Sequence, residues 1–543
     1  MRVLLTLICL LLAVPVLGVL GAWLAFDAAA WAVLVHQAHT VLAGYALQSL
    51  LLAASVAIGV ALLGGGAAAA VALFEFPGRR VFEWALLLPM AMPAYVLAYA
   101  YTDFLQFSGP LQSALRGITG LEGALWPDVR SLPGAVVLFV LCLYPYVYLL
   151  VRTALAERGV QMMEAARLLG AGLWRRIGAV ALPLSRPALV AGVALALMET
   201  LADYGVGAYF GLTTFSTGIY KAWLVMNDRI AAAQLASLLL LLVAGLLWAE
   251  RRARRHLRFA ASRAFASPGS GNEGRAVVLE GRLALLAWGL CAVPVAFGFV
   301  LPLALLAKLI WQEARYGGVG LPLARFAQWC LTSFQLATVA ALLAAALALA
   351  LAFALRLAAA RADRSWRARL LHGAVRTVSL GYALPGAVIA VGILLPLGAV
   401  QALWPGAPLA ALVTGTVAGL LYAYLVRFSA VALQALEAGY ARLPASLDDS
   451  ARMLGASQGR LLTEIHLPLL RRSALAAALL VFVDVMKELP ATLVLRPFNS
   501  DTLAVVAYNL ARDERLAEAA LPSLAIVAVG LLPVLLLSRA MRR

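Results

Sequence analysis

The chain has 543 residues, of which 64% are hydrophobic and only 13% charged, and its formal net charge is +17. This composition excludes an ordinary soluble globular protein and predicts many membrane spans. A net charge of this size in a soluble protein would suggest nucleic-acid binding. Here the basic residues follow membrane topology, so we expect a lipid bilayer, and no nucleic acid, as a partner.

Twelve apolar blocks follow one another along the chain, and each is long enough to cross a bilayer as a helix that rises roughly 1.5 Å per residue. They lie at about 3–25, 41–73, 81–101, 133–151, 188–211, 232–249, 283–310, 331–357, 371–398, 409–431, 473–494 and 520–538. A Ser-Pro-Gly-Ser-Gly stretch separates the two sets of six. We predict an all-α polytopic membrane protein of about 12 transmembrane helices in two homologous six-helix halves, residues 1–258 and 283–543, joined by a cytoplasmic linker at 259–282.

Lys and Arg predict the orientation of these spans. With the N-terminus inside the cell, the predicted cytoplasmic segments hold 31 of the 43 basic residues and the opposite side holds nine. This bias predicts that both termini are cytoplasmic. The first apolar run is expected to be an uncleaved span, because no clear small-residue cleavage site follows it.

A polar, Arg-rich loop occurs twice, at a fixed offset of 285 residues, which predicts a duplicated unit. In each copy a run of good helix formers meets a Gly, which can take the left-handed conformation that ends a helix. A second short helix follows, and a Pro is expected to break it before the next span. We therefore predict a helix–turn–helix elbow whose small side chains let another protein approach closely. A basic membrane-surface loop is the alternative for a single copy, and two copies in register disfavour it.

The pattern Glu-Ala-Ala, three residues, Gly and a final Leu-Pro resembles the EAA loop of permease subunits of bacterial ABC importers. The resemblance implies a coupling helix that sits in a cleft of a cytoplasmic ATP-hydrolysing subunit and carries its motion to the membrane helices. The residues implied in ATPase coupling are Glu164, Ala165, Ala166, Gly170, Pro183, Asp449, Ser450, Ala451, Gly455 and Pro468. The second copy departs from the pattern at Asp449 and Ser450, so the first elbow is expected to be the more sensitive to mutation.

The chain itself is not expected to hydrolyse ATP. Its sequence holds no Gly-x4-Gly-Lys-Ser/Thr phosphate loop, and Gly64-Gly65-Gly66 lies in an apolar block with no Lys after it, which favours helix packing. ATP and Mg²⁺ would be used by a separate subunit, and no cofactor is expected on this chain. No catalytic residue and no metal site are predicted, since the four Cys have no paired spacing.

Two acidic residues lie near the end of the fifth span in each half, Glu199 and Asp203 in the first and Asp484 and Glu488 in the second. A spacing of four predicts that both acids of a pair share one helix face. An ionised side chain within a span is costly, so it should face the bundle interior, water or a partner. One interpretation is a translocation path lined by these carboxylates. The other is an ion-pair network that fixes helix packing, with Lys487 as a candidate partner; packing is favoured for Glu488 and the path for the first-half pair.

Pro93 and Pro385 lie within spans, at what we take to be corresponding positions of the two halves. Broken helices are tolerated in membranes where they face protein or a water-filled pathway.

The stretches Met198–Gly205 and Met486–Thr492 resemble those of fused permeases of ferric-iron ABC importers. This resemblance implies a bacterial inner-membrane protein that moves ferric iron from periplasm to cytoplasm with a cytoplasmic ATP-binding subunit dimer. It also implies a periplasmic substrate-binding protein docked around 102–132, 212–231 and 495–519. Permeases for thiamine, polyamine, sulfate or phosphonate are related alternatives. An ion-coupled secondary transporter is the rival from another class, and it would explain the acids but not the paired elbows.

Overall fold

The computed structural model describes residues 2–24, 28–261, 277–316, 322–360, 365–406 and 408–541. The α-helices of these residues are α1 (Arg2–Gly21), α2 (Ala28–Thr40), α3 (Leu42–Leu73), α4 (Arg79–Ala85), α5 (Ala94–Leu105), α6 (Pro110–Thr119), α7 (Leu132–Leu168), α8 (Leu173–Arg176), α9 (Leu182–Ala202), α10 (Gly205–Tyr209), α11 (Phe215–Tyr220), α12 (Arg229–Ala261), α13 (Gly281–Val295), α14 (Leu301–Tyr316), α15 (Leu323–Ala360), α16 (Trp366–Val378), α17 (Gly386–Leu403), α18 (Leu409–Gly415), α19 (Val417–Tyr440), α20 (Ala445–Met453), α21 (Gln458–Arg460), α22 (Leu467–Met486), α23 (Pro490–Leu495), α24 (Leu503–Arg512) and α25 (Leu516–Met541).

Short irregular elements join several of these helices. They are π-helical turns at Ile177–Ala181, Lys221–Val225, Ala296–Val300 and Leu461–His466, and 3₁₀ turns at Leu88–Ala91 and Gly381–Ala383. Two strands of two residues each, β1 (Phe74–Glu75) and β2 (Val277–Val278), pair in parallel. The rest of the predicted linker, residues 262–276, lies outside the described residues.

Ten helical segments of the described residues are long and apolar enough to cross a membrane. They are Val3–Gly21, Leu42–Leu73, Leu132–Ala156, Leu173–Ala202, Arg229–Glu250, Gly281–Tyr316, Leu323–Ala359, Gly386–Leu403, Val417–Tyr440 and Leu516–Leu536. A further pair, Arg79–Ala91 and Ala94–Thr119, is bent by 89° and gives eleven if it forms one span. The predicted block at 473–494 is divided between α22 and α23, and every 18-residue stretch of α22 contains the three charged residues Arg471, Arg472 and Asp484. The all-α polytopic fold is confirmed, with ten or eleven candidate spans instead of about 12.

Prolines interrupt one apolar block in each half. Pro93 (φ −61°, ψ 141°) is extended and starts α5, and Pro385 (φ −59°, ψ 140°) is extended and starts α17. Proline lacks a backbone N–H and disfavours the helical conformation in the residue before it, so each block is divided into shorter helices. The blocks predicted at 81–101 and 371–398 are therefore broken helices.

The duplication is visible in matching hydrogen bonds. Ser49 on α3 accepts a bond from the backbone N–H of Phe215 (3.0 Å), and Ser333 on α15 accepts one from the N–H of Leu503 (2.8 Å). Helices α3 and α15 therefore correspond at an offset of 284 residues, one less than the offset of the elbows.

The chain folds into two compact units, and each unit combines segments of both sequence halves. One unit holds Met1–Gln37, Ile219–Leu240 and Pro322–Val506, and the other holds Ala38–Gly218, Leu241–Leu321 and Ala507–Arg543. In the first of these units α1 packs closely on α17. The contact is close enough to require glycine at position 392, since a Cβ there would lie 2.0 Å from the Pro15 carbonyl oxygen. The division into 1–258, 259–282 and 283–543 describes the sequence repeat and stays a prediction.

Candidate functional site

The first elbow is formed where α7 leaves its span. Gly170 has φ +81°, the left-handed conformation that favours glycine. Its N–H bonds to the Arg167 carbonyl (2.9 Å), and the N–H of Ala171 reaches back to the Ala166 carbonyl (3.0 Å). This hydrogen-bond pattern satisfies the last carbonyls of the helix and turns the chain sharply.

The second elbow repeats this geometry after α20. Gly455 has φ +80°, its N–H bonds to the Arg452 carbonyl (2.9 Å), and the N–H of Ala456 bonds to the Ala451 carbonyl (3.0 Å). The predicted left-handed glycine turn is confirmed in both copies. No heavy atom lies within 4 Å of a Cβ built on either glycine, so only backbone conformation makes glycine preferable there.

The prediction that a Pro breaks the second arm of each elbow is wrong. Pro183 and Pro468 sit in the first turns of α9 and α22, where the missing N–H costs little. A π-helical turn precedes each of them, Ile177–Ala181 in one copy and Leu461–His466 in the other. These wider turns carry the second arm into the next helix without a break.

The tips of both elbows expose large apolar side chains. Leu168 and Leu169 are 85% and 88% exposed, and their counterparts Met453 and Leu454 are 89% and 88% exposed. Trp174 adds a further exposed ring to the first elbow. Pairs of neighbouring exposed apolar residues at equivalent positions indicate a surface that another molecule covers.

The other predicted coupling residues differ in accessibility. Glu164 and Ala166 are half-buried, whereas Ala165, Asp449 and Ser450 are exposed. Pro183 and Pro468 are also exposed, and Ala451 is buried. The small-residue face of the second copy is therefore less accessible than that of the first.

A buried polar cluster lies beneath the second elbow, and sequence reasoning missed it. We call it the hinge cluster: Arg356, Tyr440, Asp448 and His466. The guanidinium of Arg356 donates to both carboxylate oxygens of Asp448 (2.8 and 3.2 Å), and His466 Nε2 lies 3.0 Å from Asp448 Oδ1. Burial alone would raise the pKa of Asp448, but the hydrogen bonds from Arg356 and His466 outweigh it and lower this pKa.

The acids of the first half do not share a helix face as predicted. Helix α9 ends at Ala202, and Asp203 is already extended (φ −69°, ψ 134°). The Asp203 carboxylate then accepts the backbone N–H of Val206 (2.8 Å) in the first turn of α10. Glu199 lies within α9 and is half-buried. The spacing of four residues does not put the two acids on one helix face, because the helix ends between them.

The second half has the same break. Helix α22 ends at Met486, so Glu488 lies beyond it and is 5% exposed. Its carboxylate accepts the N–H groups of Ala491 (2.9 Å) and Thr492 (3.0 Å) and pairs with Arg427 Nη1 (3.3 Å). Arg427 lies within the apolar block predicted at 409–431, and the structure buries it within α19.

The predicted partner of Glu488 also differs. Lys487 forms its ion pair with Asp484, one turn earlier on the same chain segment (2.9 Å). Glu488 is thus held by Arg427, which lies 61 residues away in sequence. The geometry supports the packing interpretation for Glu488, while the path interpretation of the other acids stays a prediction. Among the described residues, no three His, Cys, Asp or Glu side chains come together as a metal site.

A polar cleft of about 320 Å³ lies between helix ends and adjoining loops of one compact unit. Its lining includes Asp103, Gln106 and Glu313, together with Arg130, which is 3.5 Å from Glu514. These residues lie in or beside loops predicted to face the periplasm.

Comparison with known proteins matches both halves of the chain. The family model described as "binding-protein-dependent transport system inner membrane component" matches residues 61–258 and again residues 356–543. The chain belongs to this family. It is a permease of the ABC importer type, and each of the two matched segments contains one elbow.

Relatives of this permease carry several substrate names. An Fe(3+)-transport system permease protein of Haemophilus influenzae is 22% identical over 91% of this chain and 89% of its own length. A protein of Salmonella paratyphi A named for 2-aminoethylphosphonate transport is 27% identical over 37% of this chain and 71% of its own length. The molybdenum transport system permease protein of Escherichia coli is 30% identical over 25% of this chain and 57% of its own length. This chain is thus similar over 91% of its length to a permease named for Fe(3+) transport, and over shorter stretches to permeases named for 2-aminoethylphosphonate and molybdenum transport.

Proposed function

We propose that this permease forms the membrane pathway of an ATP-driven importer that carries ferric iron from the periplasm to the cytoplasm. Two elbows with the same left-handed glycine and the same backbone bonds carry the proposal, because a pair of equivalent cytoplasmic subunits would need a pair of equivalent docking sites. Both chain termini and both elbows face the cytoplasm, and the chain is a multi-pass protein of the bacterial inner membrane.

The exposed apolar tips supply the docking chemistry. Leu168, Leu169, Met453 and Leu454 would enter apolar clefts of a dimer of ATP-binding subunits, since burial of large exposed apolar side chains drives protein association. ATP and Mg²⁺ bind to that partner. A periplasmic binding protein delivers the substrate to the loops at 102–132, 212–231 and 495–519. The polar cleft supports this site, because Arg130 and Glu514 of its lining belong to two of these loops.

Ferric iron is favoured as substrate by the relative that matches nearly the whole fused chain. The partial matches to permeases named for 2-aminoethylphosphonate and molybdenum transport make phosphonate and molybdate the competing substrates to be tested, beside sulfate, which the family resemblance also leaves open.

The experiment is uptake by proteoliposomes that hold this chain with its ATP-binding subunits, with the binding protein added outside and ATP inside. We expect accumulation of radioactive ferric iron that stops when the ATPase is inactivated while ion gradients are kept. Uptake that follows a proton or sodium gradient without ATP hydrolysis would identify a secondary transporter and overturn the proposal. ATP-dependent uptake of an oxyanion in place of iron would keep the importer and refute only its substrate.

A further inference from the structure

The two elbows are attached to their spans in different ways. In the first half, α7 runs unbroken from Leu132 to Leu168, so its elbow is a rigid extension of a membrane helix. In the second half the corresponding helix is interrupted: α19 ends at Tyr440, and α20 begins again at Ala445 after Pro444. The second elbow is therefore joined to its span by a four-residue segment, residues 441–444, which we call the hinge.

Arg356, on α15, occupies this hinge. Besides its two bonds to Asp448, its guanidinium donates to the backbone carbonyls of Leu443 (2.9 Å) and Pro444 (2.9 Å). Its Nη1 also lies 3.4 Å from the carbonyl oxygen of Tyr440, the last residue of α19, so its positive charge is at the C-terminal end of that helix. Its carboxylate partner lies in the first turn of α20, and both charges complement the helix dipoles. One side chain binds the helices on both sides of the break.

His466 completes the hinge cluster from the second arm of the elbow. The residue is 0% exposed, its Nε2 lies 3.0 Å from Asp448 Oδ1, and its Nδ1 lies 3.2 Å from the Tyr440 hydroxyl. Because ionised Asp448 can only accept, Nε2 carries the hydrogen, and Nδ1 of the neutral ring can accept from Tyr440. The cluster therefore joins α15, α19, α20 and the π-helical turn before α22 through directional bonds.

The first half has apolar side chains at the same places. The counterparts of Tyr440, Asp448 and His466 at an offset of 285 are Leu155, Met163 and Ala181, and the counterpart of Arg356 at the offset of α3 and α15 is Ala72. All four are buried. The unbroken α7 needs no side-chain bonds to fix the direction of its elbow. In the second half, the ion pair between Arg356 and Asp448 connects the two sides of the break.

We propose that Arg356, Asp448 and His466 are positioning residues that hold the second elbow across its hinge, so that movement of this elbow is transmitted to α15 and α22. The inference rests on the proposed coupling function of the elbows. The exposed tip residues touch the partner, and the hinge cluster acts through them. Shape-filling apolar contacts would keep the segment folded but would not fix its direction, because they lack the geometry of the guanidinium–carboxylate pair.

The test separates folding from transmission. The quadruple variant Arg356→Met, Tyr440→Phe, Asp448→Val, His466→Leu approximately keeps the summed side-chain volume while it removes the charges of the cluster, an exchange that proteins often tolerate without loss of stability. We expect a melting temperature near that of the wild type and normal binding of the ATP-binding subunits in lipid. Substrate transported per ATP should fall by roughly tenfold or more, within the range of coupling between distant sites. The matched control Met163→Leu, at the first-half counterpart of Asp448, should change none of these quantities.

A second comparison covers the case in which the quadruple variant does not fold. His466→Gln keeps an N–H for Asp448 and an acceptor for Tyr440, whereas His466→Phe keeps only the ring shape between Phe353 and Tyr440. Transport per ATP should survive in the Gln variant and fall in the Phe variant. Equal ratios in the two, or a wild-type ratio in a folded quadruple variant, would overturn the positioning role. Either result would leave ATP-dependent transport by the wild type intact, which separates it from failure of the proposed function.

Discussion

Replacing Glu488 with Gln would remove the negative charge that faces Arg427 inside the second half. The side chains of Glu488 and Arg427 are 2% and 8% exposed, and the carboxylate also accepts two backbone N–H groups at the start of α23. Gln offers one oxygen in place of two, so one N–H loses its acceptor and the guanidinium loses its counter-charge.

The expected loss of stability follows from these contacts. Removing one partner of a buried ion pair costs about 3–5 kcal/mol, because the remaining charge stays buried without compensation. Adding Arg427→Met to Glu488→Gln removes that charge and leaves chiefly one unaccepted N–H, which costs about 1–3 kcal/mol. The double variant should therefore be more stable than Glu488→Gln alone, although less stable than the wild type.

Thermal unfolding and uptake should be measured on the same purified variants in lipid. Asp203→Asn is the matched control: Asp203 caps α10 at the equivalent break, and the first half has Cys142 where the second has Arg427. The Asn carbonyl can still accept the Val206 N–H, so this variant should lose less than about 1 kcal/mol. Slower transport by Glu488→Gln at an unchanged melting temperature would refute the packing role and assign the residue to the substrate path.

The elbow turns predict that Gly170→Val with Gly455→Val costs transport and ATPase binding but not membrane insertion, since a β-branched residue at φ near +80° is strained by about 1–3 kcal/mol. Gly172→Val, at φ −67°, is the control and should transport normally; equal transport by all variants would argue against the elbows as coupling sites. A reporter fused after Arg258 should be cytoplasmic and one near Gln106 periplasmic, and the reverse at either site would contradict the topology. The pKa of Asp448 is lowered in the folded protein, so its ionised carboxylate stabilises the fold at every pH above the ordinary carboxyl pKa. This stabilisation is lost as the pH falls through the lowered pKa. Melting curves against pH should show this acid-side loss in the wild type and not in the volume-matched quadruple variant.

Local chemistry made the elbows predictable from sequence. A glycine after a run of helix formers marks a left-handed turn, and Gly170 and Gly455 have almost the same φ. The positions of Pro93 and Pro385 predicted the two broken spans because a proline restricts its own residue and the one before it. Most membrane spans were predictable in position, since every backbone polar group in a bilayer must be satisfied within a helix.

Pairing between distant side chains was decided only by the tertiary structure. Nothing in the sequence near Glu488 points to Arg427, and the nearer Lys487 is the natural candidate unless the helix is known to end at Met486 and to turn Glu488 toward α19. In the hinge cluster, Arg356 pairs with Asp448, which lies 92 residues away in sequence. Short-range sequence patterns predict turns and spans because backbone conformation is determined locally. Ion pairs depend instead on which helix faces pack together. The free-energy cost of burying a charge is offset only by a partner that this packing brings within hydrogen-bond distance.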